Sequence, residues 1–218
     1  MAQYLDIANW SRRELFDFFI GYANPYFNVG ARVDVTRLVA LVRDRPAIRI
    51  SMALHYFALR VANEIEPFRY RLQDKKVQIC ETINGGTTVL LPNESFAYAY
   101  FDYQVDFEKF CLNAASAVDE VRTDTGPLKP TMRNDVIYFT TLPWISFTSF
   151  AHARNSGRGE SIPRIVFGKF HQENERLMLP ISVEVHHALM DGLHVGRFLT
   201  RLEEACIEPE SFAGPARI

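Results

Sequence analysis

The chain has 218 residues, of which 48% are hydrophobic and 23% charged, so it is long enough and apolar enough to form one large folded domain. This composition excludes a disordered chain, a collagen-like repeat and a disulfide-stapled mini-protein. The 24 basic and 26 acidic residues give a net charge of −2, which provides no electrostatic case for nucleic-acid binding. No apolar stretch approaches the roughly 20 residues that a membrane helix requires.

Helical spacing dominates the first 64 residues. A short helix is predicted within 10–22 and leads into an aromatic-rich turn at 25–27. Thr36 is predicted to cap a second helix. A longer helix with one apolar face is predicted over 47–64.

Short strand-like runs follow Pro67 and are separated by turn signals. The last of them, 178–186, alternates apolar and polar residues as a half-buried strand does, and helical spacing resumes after Gly192. These patterns predict an α/β (α+β) two-layer sandwich, a mixed sheet covered by helices, in a single domain over 1–218. The predicted strands are 68–72, 77–82, 87–91, 136–141, 164–170 and 178–186, with a helix over 105–118, loops at 122–135 and 154–163, and a frayed tail from 207.

The beginning of the chain and its cysteines favour a reducing, cytoplasmic setting. The opening Met-Ala-Gln-Tyr-Leu-Asp has neither the basic start nor the apolar run of a secretory signal. The cysteines are odd in number and widely spaced, which gives neither a disulfide framework nor a zinc ribbon. We therefore expect buried free thiols at Cys80, Cys111 and Cys206.

The motif with the clearest chemical content joins the last strand to the last helix and reads His186-His187-Ala188-Leu189-Met190-Asp191-Gly192. Imidazole suits a general base near neutral pH because its unperturbed pKa is about 6.5. At the end of a strand, one ring nitrogen can hold a hydrogen bond while the other takes up a proton. Because strand side chains alternate in direction, we expect one histidine of the pair to be functional and the other structural.

Two other interpretations of this motif remain open. A histidine beside an apolar strand is often a core residue, and Asp191-Gly192 is also common turn chemistry. Alternatively, His187, Asp191 and His194 have the i, i+4, i+7 spacing of metal ligands on one helix face. Against a metal centre, Gly192 interrupts the spacing and the preceding residues are strand-like.

The motif, with Leu-His-Val-Gly-Arg-Phe after it, resembles that of the chloramphenicol acetyltransferases, which belong to the coenzyme A-dependent acyltransferases. Further segments resemble the same family, in the same order along nearly the whole chain. They are Trp10-Ser11-Arg12-Arg13-Glu14, Val33-Asp34-Val35-Thr36, Thr141-Leu142-Pro143-Trp144 and Met178-Leu179-Pro180.

The resemblance implies direct transfer of an acetyl group from acetyl-CoA to a hydroxyl of chloramphenicol or a related small molecule, with no metal and no covalent enzyme intermediate. His187 would be the general base that removes the hydroxyl proton. Asp191 would pair with Arg12 and thereby fix the turn that presents His187. Thr140 stands where the family has the serine that stabilises the oxyanion, and it keeps the hydroxyl on a side chain that is stiffer at χ1.

The resemblance also implies a homotrimer with its active sites between subunits, so that His187 of one chain faces a pocket built partly by its neighbour. A cytoplasmic enzyme of antibiotic resistance is the corresponding expectation. The implied acceptor contacts are Phe18, Phe19, Phe27 and Phe150, and the implied coenzyme contacts are Trp144, Lys169 and Phe170.

Some pocket positions depart from the family's pattern. The chain reads Glu160-Ser161-Ile162-Pro163 where the family commonly has Phe-Phe-Ala-Pro. It has Val166 where the family usually has Thr, and Pro25 where the family often has Cys. Glu160 in place of an aromatic ring makes the acceptor site more polar than one built for an apolar drug.

Three functions therefore stay open at the level of the sequence. The first is an acetyl-CoA-dependent O-acetyltransferase, and the second is a catalytically idle trimer that binds a ligand. The third is a metal-dependent hydrolase that uses His187, Asp191 and His194. The intact set of His187, Asp191, Arg12 and Thr140 favours the acetyltransferase.

Overall fold

A computed structural model describes residues 3–74, 76–123, 128, 130, 132–154 and 160–214. It contains a seven-stranded sheet with helices on one face and a separate sheet of three short strands. The helices are α1 (Arg13–Phe19), α2 (Thr36–Arg43), α3 (Ile50–Glu64), α4 (Phe107–Arg122), α5 (Gly192–Ile207) and α6 (Pro209–Ala213), with 3-10 turns at Ile7–Asn9 and Glu66–Arg69. The strands are β1 (Gln3–Tyr4), β2 (Tyr26–Asp34), β3 (Tyr70–Gln73), β4 (Lys76–Ile79), β5 (Asn84–Leu90), β6 (Phe96–Phe101), β7 (Val136–Thr141), β8 (Arg164–Phe167), β9 (His171–Glu173) and β10 (Arg176–His186).

The large sheet is mixed, as predicted. Its strand order is β2-β10-β8-β7-β5-β6, and β9 forms a hairpin with β10. Strands β5, β7 and β8 run parallel to one another, whereas β2, β10 and β6 pair antiparallel with their neighbours. The small sheet has the order β1-β4-β3. A mixed sheet with a helical layer confirms the predicted fold class.

The core lies between the large sheet and α3. This helix is buried on nearly every side, so its apolar residues surround it instead of forming one stripe. Its His55 is 1% exposed and packs against the rings of Phe101, Phe139 and Phe167. Because successive strand residues point to opposite faces, the side chains on either side of Phe139 along β7 point away from the helices.

A fully buried cation ties the small sheet to the start of β7. The guanidinium of Arg71 donates to the backbone carbonyls of Phe68, Tyr70, Asn134 and Val136. Burial lowers the pKa of Arg71 to about 10, so the group stays charged near neutral pH. Four carbonyl acceptors compensate its desolvation and hold the chain that enters the large sheet.

Four strands and one helix were not predicted. The segment predicted as an aromatic-rich turn begins β2, an edge strand whose nine residues all pair with β10. Its order comes from hydrogen bonds to a distant strand, which local spacing does not reveal. The tail predicted to be frayed instead forms α6, because Phe212 is buried and its carbonyl accepts from Arg60. β6 was also missed.

The remaining predictions differ mostly at element ends. Thr36 is the first residue of α2 and not its cap: Asp34 Oδ1 accepts from the Thr36 backbone N–H at 3.0 Å. The β7 prediction is confirmed, and the predicted loops at 122–135 and 154–163 lie partly outside the described residues. All three cysteines are buried and free, as predicted. In the described part of the chain, no helix has both the length and the apolar character needed to cross a membrane.

Candidate active site

His187 is held in the turn between β10 and α5. Its backbone N–H donates to the carbonyl of Pro25 at 2.7 Å, which anchors the turn to the start of β2. Its Nδ1 lies 3.2 Å from the carbonyl oxygen of Met190. Because a carbonyl only accepts hydrogen bonds, this contact requires the proton on Nδ1. In the neutral imidazole Nε2 then carries the lone pair, which is the state that a general base needs.

Two aromatic rings fix the plane of this imidazole. Phe19 stacks on His187 with ring centroids 3.9 Å apart and an interplanar angle of 9°, and Phe27 contacts it at 4.6 Å. Phe18 lies 5.0 Å from Phe19 and is 60% exposed. Three of the four predicted acceptor contacts therefore lie near the predicted base, two of them against its ring.

An ion pair joins the start of α1 to the start of α5, the helix that follows this turn. Arg12, at the start of α1, donates to the carboxylate of Asp191. Asp191 is also the N-cap of α5, where it accepts from the backbone N–H of Leu193 at 3.0 Å and forms a capping box with His194. Burial alone would raise the pKa of Asp191, but Arg12 and His194 outweigh it and hold this pKa below the usual range. The pair thus stays ionised and pins the turn that carries His187.

His186 is the structural member of the pair. It is 3% exposed, its Nδ1 accepts from the backbone N–H of Ala188 at 3.2 Å, and its ring meets Tyr26 edge-on. Burial, with a smaller contribution from Arg154, lowers the pKa of His186 to about 4. It is therefore neutral at physiological pH.

No three His, Cys, Asp or Glu side chains within the described residues are arranged to hold a metal ion. His187, Asp191 and His194, the metal ligands of the alternative interpretation, are among the side chains that this statement covers. His194 instead accepts a hydrogen bond at Nδ1 from the backbone N–H of Asp191 at 3.1 Å.

Thr140 lies elsewhere on the sheet. It pairs with Val166 on β8, and Val166 pairs with Ser182 on β10. At about 4.8 Å between strands and about 3.3 Å per residue, Thr140 lies roughly 15–20 Å from the end of β10, where His187 follows. One chain therefore does not bring the predicted base and the predicted oxyanion donor together.

A cavity of about 320 Å³ opens beside Thr140, on the face of the sheet away from the helices. We call it the Thr140 cavity. Sequence reasoning named Thr140 and Glu160 in this region but missed the others, because they come from separate strands and a loop without a motif. The cavity is lined by Thr140 together with Tyr98, Tyr100, Tyr138, His152, Glu160 and Arg164.

Buried charges support one wall of this cavity. Glu184 on β10 is 5% exposed, so the prediction of a half-buried strand was wrong: His152 and Arg154 cover its polar face as well. Arg154 donates to Glu184 through Nε, and His152 Nδ1 lies 3.8 Å from the same carboxylate. Burial would raise the pKa of Glu184, but His152 and Arg154 lower it to about 2. Arg164 in turn donates to both oxygens of Glu160, at 3.0 and 3.2 Å.

The predicted coenzyme contacts lie on two segments that meet. The backbone N–H of Lys169 donates to the carbonyl of Ile145 at 2.8 Å, which places Lys169 next to the loop of Trp144. Trp144 is 62% exposed, Lys169 is exposed and Phe170 is half-buried. A cavity of about 1200 Å³ is lined by residues next along both segments, Ser146 and His171 among them.

The structure also shows what surrounds Val166 and Pro25, two further positions that depart from the family's pattern, and Phe150. Val166 is fully buried beside Thr140 in the sheet. Pro25 supplies the carbonyl that anchors His187. Phe150, the fourth predicted acceptor contact, has its ring 4.8 Å from that of His152, which lines the Thr140 cavity.

The buried histidines predict a loss of stability in mild acid. An unfolded histidine takes up a proton near pH 6.5, whereas burial lowers the pKa of His55 to about 3 and that of His186 to about 4. Between these values the unfolded chain binds more protons, so the free energy of unfolding should fall by up to about 1.4 kcal/mol per pH unit for each histidine as pH decreases below 6.5. Urea unfolding between pH 7 and pH 5 measures this slope, and it should be shallower in His55→Leu. An unchanged slope in that variant would contradict the prediction.

Comparison with known proteins gives matches over nearly the whole chain. A sequence model of the family described as chloramphenicol acetyltransferase matches residues 2–203. Chloramphenicol acetyltransferase 3 of Escherichia coli is 31% identical over 204 residues, which are 92% of this chain and 95% of that protein. A chloramphenicol acetyltransferase of Clostridium perfringens is 26% identical over 216 residues, which are 96% of this chain and 97% of the relative.

Solved structures share the fold. A chloramphenicol acetyltransferase superposes with a TM-score of 0.82 at 27% identity, over 94% of this chain and 99% of that chain. The dihydrolipoamide acetyltransferase of Azotobacter vinelandii superposes with a TM-score of 0.71 at 16% identity, over 92% of this chain and 90% of the other. The second likeness concerns the fold alone.

Proposed function

Because the chain belongs to the chloramphenicol acetyltransferase family, we propose that it transfers the acetyl group of acetyl-CoA to a hydroxyl of chloramphenicol or a related small molecule, with His187 as the base. Membership in this family confirms the predicted acyltransferase class. The observation that carries the proposed chemistry is the contact of His187 Nδ1 with the carbonyl of Met190. In the neutral imidazole this contact leaves the lone pair on Nε2, on a ring that Phe19 holds in place.

In this reaction the acetyl group moves in one transfer from the sulfur of coenzyme A to the hydroxyl oxygen of the acceptor. His187 Nε2 removes the proton of the acceptor hydroxyl while its oxygen attacks the thioester carbonyl. The tetrahedral intermediate then expels the thiolate of coenzyme A, which takes the proton back from His187. Base catalysis of this type contributes about 10²- to 10⁴-fold.

Thr140 supplies the hydrogen bond to the oxyanion of that intermediate in this mechanism. One such donor is worth about 10²- to 10³-fold in turnover. Asp191 and Arg12 act as positioning residues, since their ion pair joins the starts of α1 and α5 on either side of the His187 turn.

We further propose a homotrimer in which His187 of one subunit faces the Thr140 cavity of the next. The separation of roughly 15–20 Å between Thr140 and the end of β10 in one chain supports this assembly. A ring of identical contacts between unlike surfaces completes every site in a closed trimer.

The coenzyme binds, in this proposal, at Trp144, Lys169 and Phe170. The hydrogen bond from Lys169 to Ile145 supports it, because it brings the two segments together. We also place the enzyme in the cytoplasm, where acetyl-CoA is available, as a single acyltransferase domain over 1–218. The buried free thiols and the one contiguous hydrophobic core favour these two assignments.

The function is tested by following release of the coenzyme A thiol from acetyl-CoA with a panel of hydroxylated acceptors that includes chloramphenicol. Acceptor-dependent thiol release supports the proposal, and its absence with every acceptor contradicts it.

Subunit sharing is tested with two variants, His187→Ala and Thr140→Val. Each should be nearly inactive alone. When the two are unfolded and refolded together, sites that combine an intact His187 with an intact Thr140 should restore up to about a quarter of the wild-type activity, as random assembly of head-to-tail interfaces gives. Each variant refolded by itself is the control. If trimers form in the mixture and in the controls, and the mixture recovers no activity, the result would contradict a shared site.

A further inference from the structure

The Thr140 cavity joins aromatic rings to charged side chains. Three tyrosines supply ring faces and hydroxyl groups, and Glu160, Arg164 and His152 supply charged or titratable groups. At about 320 Å³ the cavity is at the lower end of the range for small-molecule sites. Its size therefore suits a single small ring, and its lining offers that ring many hydrogen bonds.

Glu160 is the carboxylate that can accept hydrogen bonds from the polar groups of such a ring. Its side chain is 26% exposed, whereas those of Arg164 and Arg154 are 17% and 10% exposed. Arg164 donates to both Glu160 oxygens and also to the carbonyl of Ala153 at 2.8 Å. An ionised carboxylate has about four acceptor positions, so Glu160 has capacity left for donors from a ligand.

The charged wall, which consists of Glu160 with Arg164 and Arg154, is held by contacts within the protein. Arg154 binds the buried Glu184 and stacks over the Tyr26 ring at 3.9 Å, with its Nη1 3.6 Å from Glu160. The Tyr26 hydroxyl donates to the backbone carbonyl of Glu160. Because these contacts fix Glu160 in the unliganded protein, it loses little freedom when it binds.

We infer that the Thr140 cavity takes a hydroxyl-rich acceptor ring of hexose size and that Glu160 selects it by accepting hydrogen bonds from its hydroxyls. The inference rests on the proposed function, since the selected ring is the acceptor that receives the acetyl group. Tyrosine faces cover the apolar face of such a ring, while its hydroxyls satisfy the charged wall. An apolar ring would desolvate Glu160 and Arg164 without replacing their hydrogen bonds to water.

Such a site discriminates strongly. A pocket that hydrogen-bonds substrate hydroxyls rejects analogues that lack them, by up to about 10⁴-fold, because its polar groups are left unpaired. The nitrophenyl ring of chloramphenicol has no hydroxyl to offer Glu160. The hydroxyl-rich acceptor should therefore have the higher kcat/KM.

The test compares kcat/KM for acetyl transfer to methyl hexopyranosides and to chloramphenicol, in the wild type and in Glu160→Gln. At least one hexopyranoside should exceed chloramphenicol in the wild type. Glu160→Gln, which keeps the shape of the side chain but removes its charge, should lower that value about tenfold or more, as expected for a hydrogen bond to a charged group. The value for chloramphenicol should change less than about twofold. The control is Glu64→Gln. Glu64 does not line the Thr140 cavity, and its carboxylate lies 3.0 Å from Nε of Arg201. This substitution should leave kcat/KM unchanged for both acceptors.

Direct binding separates this inference from the proposed function. Saturation-transfer NMR with a methyl hexopyranoside, without acetyl-CoA, should show binding to the wild type that Glu160→Gln weakens. If the hexopyranoside binds in this way but no acceptor is acetylated, the proposed function is overturned. The result would still support a cavity that binds hydroxyl groups through Glu160. The inference is overturned if the wild type has a higher kcat/KM for chloramphenicol than for every hexopyranoside. It is also overturned if Glu160→Gln lowers kcat/KM equally for both acceptors. Either result leaves the proposed acetyltransferase function intact.

Discussion

Replacing His187 by alanine is expected to lower acetyl transfer by about 10²- to 10⁴-fold while leaving the protein folded. In the proposed mechanism the imidazole takes the proton of the acceptor at Nε2, since its Nδ1 is bonded to the carbonyl of Met190. The side chain is half-buried in a turn that Pro25 still holds through the backbone, so truncation should cost little stability. The measurement is thiol release from acetyl-CoA at saturating acceptor, with the thermal midpoint recorded for both proteins.

A matched control is His171→Ala. His171 is also partly exposed and hydrogen-bonded through Nδ1, to the Ser146 hydroxyl at 2.9 Å, but it lies on β9, away from the His187 turn. Because His171 lines the cavity beside the proposed coenzyme contacts, the comparison is made at saturating acetyl-CoA, where its loss should leave the maximal rate within a few fold of the wild type. Wild-type turnover in His187→Ala would remove the proposed base. Loss of the folded state would instead show that the ring stack on Phe19 is needed for folding.

Replacing Asp191 by asparagine is expected to reduce both stability and rate. Asparagine caps a helix as well as aspartate does, so α5 keeps its N-terminal hydrogen bond. What is lost is the charge that faces Arg12, whose side chain is 14% exposed and has two buried nitrogens without a hydrogen-bond partner in the described part of the chain. Because Asp191 is 29% exposed, leaving this cation unpaired should cost less than it does in a fully buried pair, about 2–3 kcal/mol of unfolding free energy. The rate should fall because the His187 turn loosens.

The matched control is Asp106→Asn. Asp106 caps α4 by accepting from the backbone N–H of Lys109 at 2.9 Å, but it is exposed. Its substitution should change stability by less than about 0.5 kcal/mol. Chemical denaturation of both variants gives the comparison. Equal and small losses would show that the Arg12–Asp191 contact does not position the turn.

A split between kinetic constants distinguishes positioning from chemistry. If Asp191 acts only by holding the His187 turn, Asp191→Asn should lower kcat while the KM for acetyl-CoA stays near its wild-type value. A rise in that KM alone, with kcat unchanged, would contradict the positioning role.

The amino-acid sequence by itself determined the family, the fold class and the His187 motif. These depend on features that are local along the chain: alternation in 178–186, helical spacing after Gly192, and residue types in short segments. Burial of the free cysteines also followed from composition and spacing. Local patterns of this kind can be recognised because the repeat of a helix or of a strand is written along the chain itself, whichever element later covers its apolar face.

The tertiary structure decided what depends on distant neighbours. Strand β2 is ordered by its pairing with β10, and α6 is held by Arg60 and the burial of Phe212. The charged wall of the Thr140 cavity, with Arg164 against Glu160, comes from a loop and a strand that no spacing connects to Thr140. Likewise, only the sheet register reveals how far Thr140 lies from the end of β10. Side chains far apart in sequence become neighbours through packing, which a local pattern does not encode.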